Sequence, residues 1–547
     1  MGPQLHLLPF LLLPFTVYLS TLGPCFLDGD SPETVTAGAT LGIPHPPGYA
    51  LTILLTRLCT LLPLGNPAFA SALGSCLWAS LACWILGLLV REVSRSGALV
   101  PPLFAGVLLA FCPHFWQEAL SPKGAVYTLQ AFLILAFLWT FLRSDRPGAP
   151  AAGAFLFGLG LSNHWPTQVW FLPLLLGMTL GLSPVRRLRA LLFLGIGLSP
   201  LLVLPLLSNL GPALDLGAPD SLGRFLDYLS RKVYRVSREA HEGAATWTFL
   251  GERTRHLAGH LLAFPGWLTL PLAAFGIHRS PSRIKVLAVP GALLLGVLWL
   301  YPSVPETFWT LDRFLLPVDV LVLLFAGVGM VGLSSLFPGH RTGLRVATLA
   351  FLIGTVVLTW PSKSLPGRTL RYDHGTNLLK SAPKGSLLFA EAEEDVFPLF
   401  YLQEVLGKRK DVRMLPSFLL FEPWGVEGLG RRFKELGLEG PSAYPNDPIG
   451  RLSAATADLW VKNRGRAPIV LTRFQGALHR YVLPAYPNLT YRRIGLLEAL
   501  DSPALGRIPP RADLRLRHLR GMSSPPDPSL KGILEVYRDL GFSPDGP

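Results

Sequence analysis

Residues 28–49 read DGDSPETVTAGATLGIPHPPGY and follow directly on an apolar run over 5–26. Three carboxylates, Asp28, Asp30 and Glu33, fall within six positions, and a His-Pro-Pro-Gly turn, His45 to Gly48, comes shortly after. A connector between two membrane helices needs none of that chemistry. Carboxylates at the mouth of a membrane bundle, followed by a rigid turn that carries a histidine, point to an active site facing one aqueous compartment.

The run over 5–26 is the first of many. The 547 residues are 50% hydrophobic and 15% charged, where a soluble chain carries about a quarter charged residues. Further apolar runs fall near 70–90, 98–115, 124–142, 151–165, 168–182, 188–207, 262–278, 284–301, 314–336 and 343–360. Each approaches the ~20 residues that cross a bilayer core. The reading is a polytopic α-helical membrane protein with about 11 transmembrane helices. The N-terminus lacks a basic n-region and a small-residue cleavage site, so an uncleaved first span is expected.

The net charge of +14 does not call for nucleic acid, because the positives sit in short clusters between apolar runs and no nucleic-acid motif accompanies them. Arg91 and Arg95, Arg143 and Arg146, Arg186, Arg187 and Arg189, Arg279, Arg283 and Lys285, and Arg341 and Arg345 follow the second, fourth, sixth, eighth and tenth runs. All five clusters fall on one side if the N-terminus is cytoplasmic, as the positive-inside rule expects. The 28–49 loop, the Glu118 loop, the Asn163–His164 turn, the 208–261 loop, the 301–312 loop and everything after about 361 then lie outside. Residues 50–64 are too short and interrupted to span and are expected at the interface. The five cysteines include no CxxC and read as small buried hydrophobes.

From about 361 the texture changes. Strand-length runs at 386–391, 412–416 and 468–473 alternate with helical patterns at 396–407 and 425–437, which predicts a C-terminal extracytoplasmic α/β domain over 361–547 beside a membrane domain over 1–360.

Individual residues allow more than one reading. Asp30-Ser31-Pro32-Glu33 has the form of a capping box with proline in the first turn, yet the same carboxylates suit a general base or a divalent cation site. His45 is held by two prolines and a glycine, and is either aimed at a phosphate or hydroxyl or merely solvated. Glu118 and Lys123 flank a span turn and could meet a phosphate-like leaving group; Lys123, with Trp116 and Tyr127, reads more simply as an interfacial anchor. Asn163-His164 places polar groups at membrane depth, which is costly without partners. Arg313 could grip phosphate bidentately or pair with Asp312. Asn488-Leu489-Thr490 is a glycosylation sequon, relevant only in a eukaryotic secretory host. The glycines at 158–160 and 195–197 lie inside spans and read as helix packing.

The ordered set GDSPE, TLGIPHPPGY, WQEALSPKGAVYTL, GLSNHWPTQ and LDRFLLPVDV, with NLLKSAPKGSLLFAEAEEDVFPLFYLQEVLGKRKDVRMLPSFLL later, resembles the transmembrane protein 260-like family (domain of unknown function 2723) of the GT-C type membrane glycosyltransferases. The resemblance covers most of the first 200 residues and about 310–420. It implies a GT-C-like bundle that moves a mannose-like sugar from a polyprenyl-phosphate carrier to an extracytoplasmic acceptor hydroxyl, as in protein O-mannosylation. It further implies Asp30, Glu33 and Glu118 as catalytic residues, and Asp28, His45, Tyr49, Asn163, His164 and Arg313 as substrate-binding ones. The family's glycine-aspartate-asparagine-aspartate turn is altered here to Ala392-Glu393-Glu394-Asp395. No metal ligand set is demanded, although the three early carboxylates permit a divalent cation. The expected partners are membrane lipid, the lipid-linked donor and a protein or glycan acceptor.

Two other readings compete: a transporter or flippase of lipid-linked sugar, which calls for repeat symmetry that the sequence lacks, and an envelope assembly factor, which leaves Asp30, His45 and Glu118 unexplained. A composition rich in glycine, proline, alanine and arginine suggests a GC-rich bacterium, hence an inner-membrane location.

Overall fold

The computed structural model describes residues 8–26, 29–232, 249–263, 266–301, 303, 305, 308–363, 365, 369–473, 478–486, 491–500 and 537. Asp28, the Asn488 sequon and most of the tail lie outside these residues.

The eleven apolar runs are helical, but they do not make eleven uniform spans. The first half is built from α1 (Pro9–Thr21), α2 (Ser31–Thr40), α3 (Ala50–Thr60), α4 (Pro67–Ser94), α5 (Val100–Phe111), α6 (Pro113–Ala119), α7 (Ala125–Leu142) and α8 (Ala149–Gln168). Six helical stretches among the described residues are long and apolar enough to cross a membrane: 67–94, 125–142, 184–209, 282–300, 310–336 and 338–363. The pair Leu250–Leu262 and Gly266–Arg279, bent by 82°, makes a seventh if it is one broken span. The remaining runs are shortened by identifiable breaks. His164 leaves helical geometry (φ −149°, ψ 78°) two residues before Pro166 inside α8, where the proline ring removes an amide donor and crowds the preceding turn. The α3 helix has 11 residues, about 16 Å of rise, against a hydrocarbon core of ~30 Å.

The helices sort into an inner and an outer set. The 67–94, 125–142 and 310–336 helices are 72%, 78% and 78% buried, whereas 184–209, 282–300 and 338–363 are only 17%, 28% and 22% buried. The outer helices expose Leu188, Leu206, Ile353 and Leu358. So much apolar surface in water would cost about 25 cal/mol per Å², a penalty that lipid removes. Chain and fold together are those of a multi-pass membrane protein.

Small residues let the outer helices approach. A Cβ added to Gly158 would lie 2.6 Å from the Leu194 carbonyl oxygen, and one on Gly197 2.3 Å from that of Phe155. The Ser162 hydroxyl also donates to the Gly197 carbonyl at 2.8 Å. These glycines therefore serve helix packing, not nucleotide binding.

The C-terminal part is α/β. Strands β1 (Leu387–Ala390), β2 (Arg413–Pro416), β3 (Ile469–Thr472), β4 (Tyr491–Ile494) and β5 (Leu497–Leu500) form one sheet in the order β2-β1-β3-β5-β4. β1 pairs parallel with β2 and β3, and β5 pairs antiparallel with β3 and β4. The first three strands fall where the apolar runs predict. The sheet's core continues into the membrane part through Phe26, Val35 of α2, Ile53 of α3 and Leu214 of the 208–261 loop. Phe26 meets the Tyr401 ring edge-on at 5.1 Å, and the Tyr401 hydroxyl donates to Asn66 Oδ1 at 2.6 Å. This docking carries the N-terminus of the helix Glu393–Phe400 to the first loop.

Gly197→Val is expected to lower stability by about 1–3 kcal/mol, the usual cost of overpacking. The midpoint of thermal unfolding in detergent reads it. An unchanged midpoint would mean that the two helices do not pack backbone to backbone.

Candidate active site

Asp30 is the N-cap of α2, but its side chain makes no capping hydrogen bond. Nor does Glu33 close the capping box. Its buried carboxylate reaches His45 instead, where Oε1 accepts from the backbone amide at 2.6 Å and Oε2 lies 2.7 Å from Nδ1. That clamp fixes the imidazole with Nδ1–H toward Glu33 and Nε2 toward the cavity. Local backbone makes the clamp possible. Gly48 has φ +94°, and a Cβ there would sit 2.7 Å from the Tyr228 ring, so only glycine turns the chain here. Tyr49 follows with φ 46°. Its ring meets His45 edge-on at 5.6 Å and stacks on His164 at 5.9 Å and 11°.

Lys123 is not an interfacial anchor. It is wholly buried. Its ammonium lies 3.9 Å from Asp30 Oδ2, 4.0 Å from Glu33 Oε2, 3.5 Å from His45 Nε2 and 4.0 Å from the centre of the Tyr49 ring. The turn that presents it is pinned to α2: the Ser31 hydroxyl accepts from the Lys123 amide at 3.0 Å and lies 2.9 Å from the Ser121 hydroxyl. A buried ammonium is costly unless paired, and here two carboxylates and an aromatic face pair it.

Arg313 approaches from the Trp309–Leu336 helix. Its Nη1 lies 3.6 Å from Asp30 Oδ2, and its Nε donates to Glu118 Oε1 at 2.9 Å. Glu118 itself is 4% exposed. Asp30 thus stands between two cations. Burial pushes its carboxyl up, but Lys123, His45, Arg313 and Arg371 outweigh that and hold it below the usual carboxylate range.

Asn163 and His164 are both buried. The Asn163 amide accepts from the Thr52 hydroxyl at 2.5 Å and donates to the Val126 carbonyl and Gln130 Oε1 at 2.8 and 3.0 Å; it ties three helices together. His164 Nδ1 is 2.8 Å from the Thr167 hydroxyl. The sequence-derived set of Asp30, Glu33, His45, Tyr49, Glu118 and Arg313 is therefore gathered in one place, with His164 at its back and Asn163 behind that.

These groups open on a cavity of about 380 Å³. Asp30, His45, Tyr49, Arg231 and Arg313 line its polar end, and Trp165, Trp170, Leu294, Leu298 and Phe314 its apolar walls. From the sequence Lys123 reads as an interfacial anchor and Glu393 only as part of an altered turn, and Arg371 carries no signal. A Cβ on Gly29 would lie 4.0 Å from Arg371 Nη2, so the buried Arg371 sits beside the Asp30 loop and adds to the positive charge felt there. Glu393 heads its helix. The packing around it, then the Asp30, Glu394 and Glu33 carboxylates, push its carboxyl up to about 8. Its side chain keeps part of its surface open to solvent. The signals were present: Lys123 lies five residues after Glu118, and Glu393 falls in the turn where the chain departs from the family pattern.

Asp30, Glu33 and His45 offer ligand atoms within 4.8 Å of one another, which is weakly compatible with a divalent cation. The Lys123 ammonium already lies among them.

The fold and site define a multi-pass membrane protein built around a charged cavity. Over 91% of its length the chain superimposes on 97% of ArnT from Cupriavidus metallidurans in the apo state, with a TM-score of 0.50 and 12% identity. It also aligns over 91% of its length with 74% of the oligosaccharyltransferase AglB from Archaeoglobus fulgidus, at a TM-score of 0.46 and 12% identity. Residues 30–181 match the model of the protein O-mannosyl-transferase TMEM260 N-terminal domain, and 371–436 that of the TMEM260-associated domain 2. A mouse relative, protein O-mannosyl-transferase TMEM260, is 26% identical over 480 residues, covering 81% of this chain and 67% of its own. Over these regions the chain is similar to TMEM260 proteins.

Between about pH 4.5 and 8 the folded chain keeps on Glu393 a proton that the unfolded chain has lost. This carboxyl's contribution to stability therefore declines as pH rises across that window. Glu393→Gln is expected to flatten that decline in thermal midpoints measured from pH 5 to 8.5. A slope identical to that of the parent would remove Glu393 from the charge cluster.

Proposed function

We propose that the chain is a membrane glycosyltransferase that moves a sugar, mannose in the family's pattern, from a polyprenyl-phosphate carrier to an acceptor hydroxyl. The observation that carries this reading is a cavity with Arg313, Arg231 and the Asp30 carboxylate at its polar end and apolar walls beyond. A lipid phosphate has the same two-ended chemistry.

The donor phosphate meets Arg313 and Arg231, the cations that line the cavity; Lys123 stays buried behind Asp30. Binding therefore does two things. It neutralises the phosphate with charge-assisted bonds, and it draws Arg313, one of the charges that hold Asp30 down, away from Asp30, whose basicity rises. Asp30 then accepts the proton of the acceptor hydroxyl as its oxygen forms the new bond to the anomeric carbon. The carbon–oxygen bond to phosphate breaks, and polyprenyl phosphate leaves with its charge stabilised. One displacement inverts the anomeric centre.

Glu33 and Glu118 act as positioning residues in this scheme: Glu33 orients His45, and Glu118 holds Arg313. Tyr49 and His164 form the stacked wall beneath the sugar, and Asn163 supports them. Asp28 is retained as a substrate-binding candidate at the edge of the same loop. Lys123 supplies fixed positive charge without a metal; a divalent cation could enter only by displacing that ammonium. The 361–547 part guides the acceptor, a protein or glycan. The N-terminus is cytoplasmic, the site faces outward across a bacterial plasma membrane, and the shorter helices complete about eleven crossings. A flippase would need openings to both sides of the membrane, whereas transfer needs only the one cavity that Asp30 lines.

The test is transfer of radiolabelled sugar from polyprenyl-phosphate mannose, and from its glucose counterpart, by purified protein with envelope extract as acceptor. Asp30→Asn is expected to lower transfer at least about 10³-fold, while carrier lipid binds at least as tightly because Asp30 no longer competes for Arg313. Full transfer by Asp30→Asn would sink the mechanism. Carrier binding with transfer from neither donor would favour the flippase.

A further inference from the structure

Another cluster lies apart from the Asp30 cavity, around the bend at 250–279. His256 and His260 are spaced i, i+4 on the helix Leu250–Leu262, the spacing that presents two imidazoles on one helix face to a metal. Their nitrogens converge on a single oxygen: Asp312 Oδ1 lies 3.0 Å from His256 Nε2 and 2.9 Å from His260 Nδ1. The other nitrogen of His260 faces Asp319 Oδ2 at 3.1 Å. A metal-bound histidine is held this way, one nitrogen for the ion and the other donating to a carboxylate. The His114 ring from α6 stacks on His260 at 4.6 Å and 23°. His114, His260 and Asp312 each offer a ligand atom within 4.8 Å of the others.

We propose that His114, His256, His260 and Asp312 bind one transition-metal dication of the zinc class, with Asp319 orienting His260. Three imidazoles and one carboxylate are the donors of zinc or cobalt, not of magnesium or calcium, which take oxygen. Metal–ligand bonds of about 2.0–2.1 Å put tetrahedral donors roughly 3.4 Å apart, so the two imidazole contacts with Asp312, at 3.0 and 2.9 Å, need open only slightly to admit the ion. With neutral imidazoles, Asp312 and Asp319 leave two negative charges, which a dication cancels. The ion would tie Leu250–Leu262 to the Trp309–Leu336 helix and to α6, one residue from Arg313. Its role is structural or regulatory, and its binding does not depend on transfer activity. The competing occupant is a proton: His260 as an imidazolium between Asp312 and Asp319.

Cobalt separates the two. Full-length protein in detergent, stripped with chelator, is titrated with Co²⁺ and followed by visible absorption. Expected is saturation at one cobalt per chain with the intense bands of four- or five-coordinate ion. Affinity should fall at least about tenfold in His260→Gln and in the partly exposed His256→Gln, and stay unchanged in Asp30→Asn, which alters the other carboxylate cluster. If His260→Gln fails to fold, His256→Gln carries the comparison. Absence of stoichiometric binding, binding indifferent to His256→Gln, or binding lost in Asp30→Asn would each overturn the proposal.

Discussion

The Lys123 ammonium, buried against Asp30 and Glu33, is the interaction on which the rest of the site depends. Taking a cation out of water costs several kcal/mol unless opposite charges compensate. Two carboxylates 3.9 and 4.0 Å away and the face of Tyr49 do so. Compensation requires that α2, the His-Pro-Pro-Gly turn and the turn before α7 be locked together. Ser31, Ser121 and Gly48 supply that lock through short hydrogen bonds and a backbone shape that a side chain would forbid.

From that pairing follows the division of labour. Glu33 and Glu118 are acids, yet each is spent on a neighbour: one orients an imidazole, the other an arginine. Asp30 alone faces the cavity between two cations and has no capping duty. Its lowered pKa makes it a poor base at rest. In the proposed mechanism a phosphate arriving on Arg313 would change that, and donor binding and base activation would be one event. The docking of the α/β part adds Glu393 and Arg371 to the same charge balance, which explains why that part shares its apolar core with the first loop.

Much of this was legible in the sequence, for physical reasons. Long apolar runs and basic clusters report the bilayer directly, and β1, β2 and β3 read as strands because buried parallel strands are continuously apolar. β4 and β5 were missed because arginines and a glutamate interrupt them. The count of spans was blurred by prolines: Pro166, in α8, lies two residues after His164, whose non-helical backbone no hydropathy pattern reveals. Asp30, Glu33, His45 and Glu118 were visible because carboxylates beside a membrane are expensive. Lys123 was not, because a lysine at a helix end is usually an anchor, and only the fold turns it inward. The spacing of His256 and His260 is plain in the chain, but its partners Asp312 and His114 come from other helices. That juxtaposition exists only in three dimensions.

The most direct measurement is the ionisation of Asp30 itself, followed by infrared difference spectroscopy on protein with isotope-labelled aspartate, with Asp30→Asn as the blank, before and after addition of polyprenyl phosphate. Expected is a carboxylate that titrates below the ordinary aspartate range in the free protein and at a clearly higher pH once the phosphate is bound. A titration that starts in the ordinary range, or does not move with the lipid, would contradict a base restrained by Lys123 and Arg313 and released by the donor.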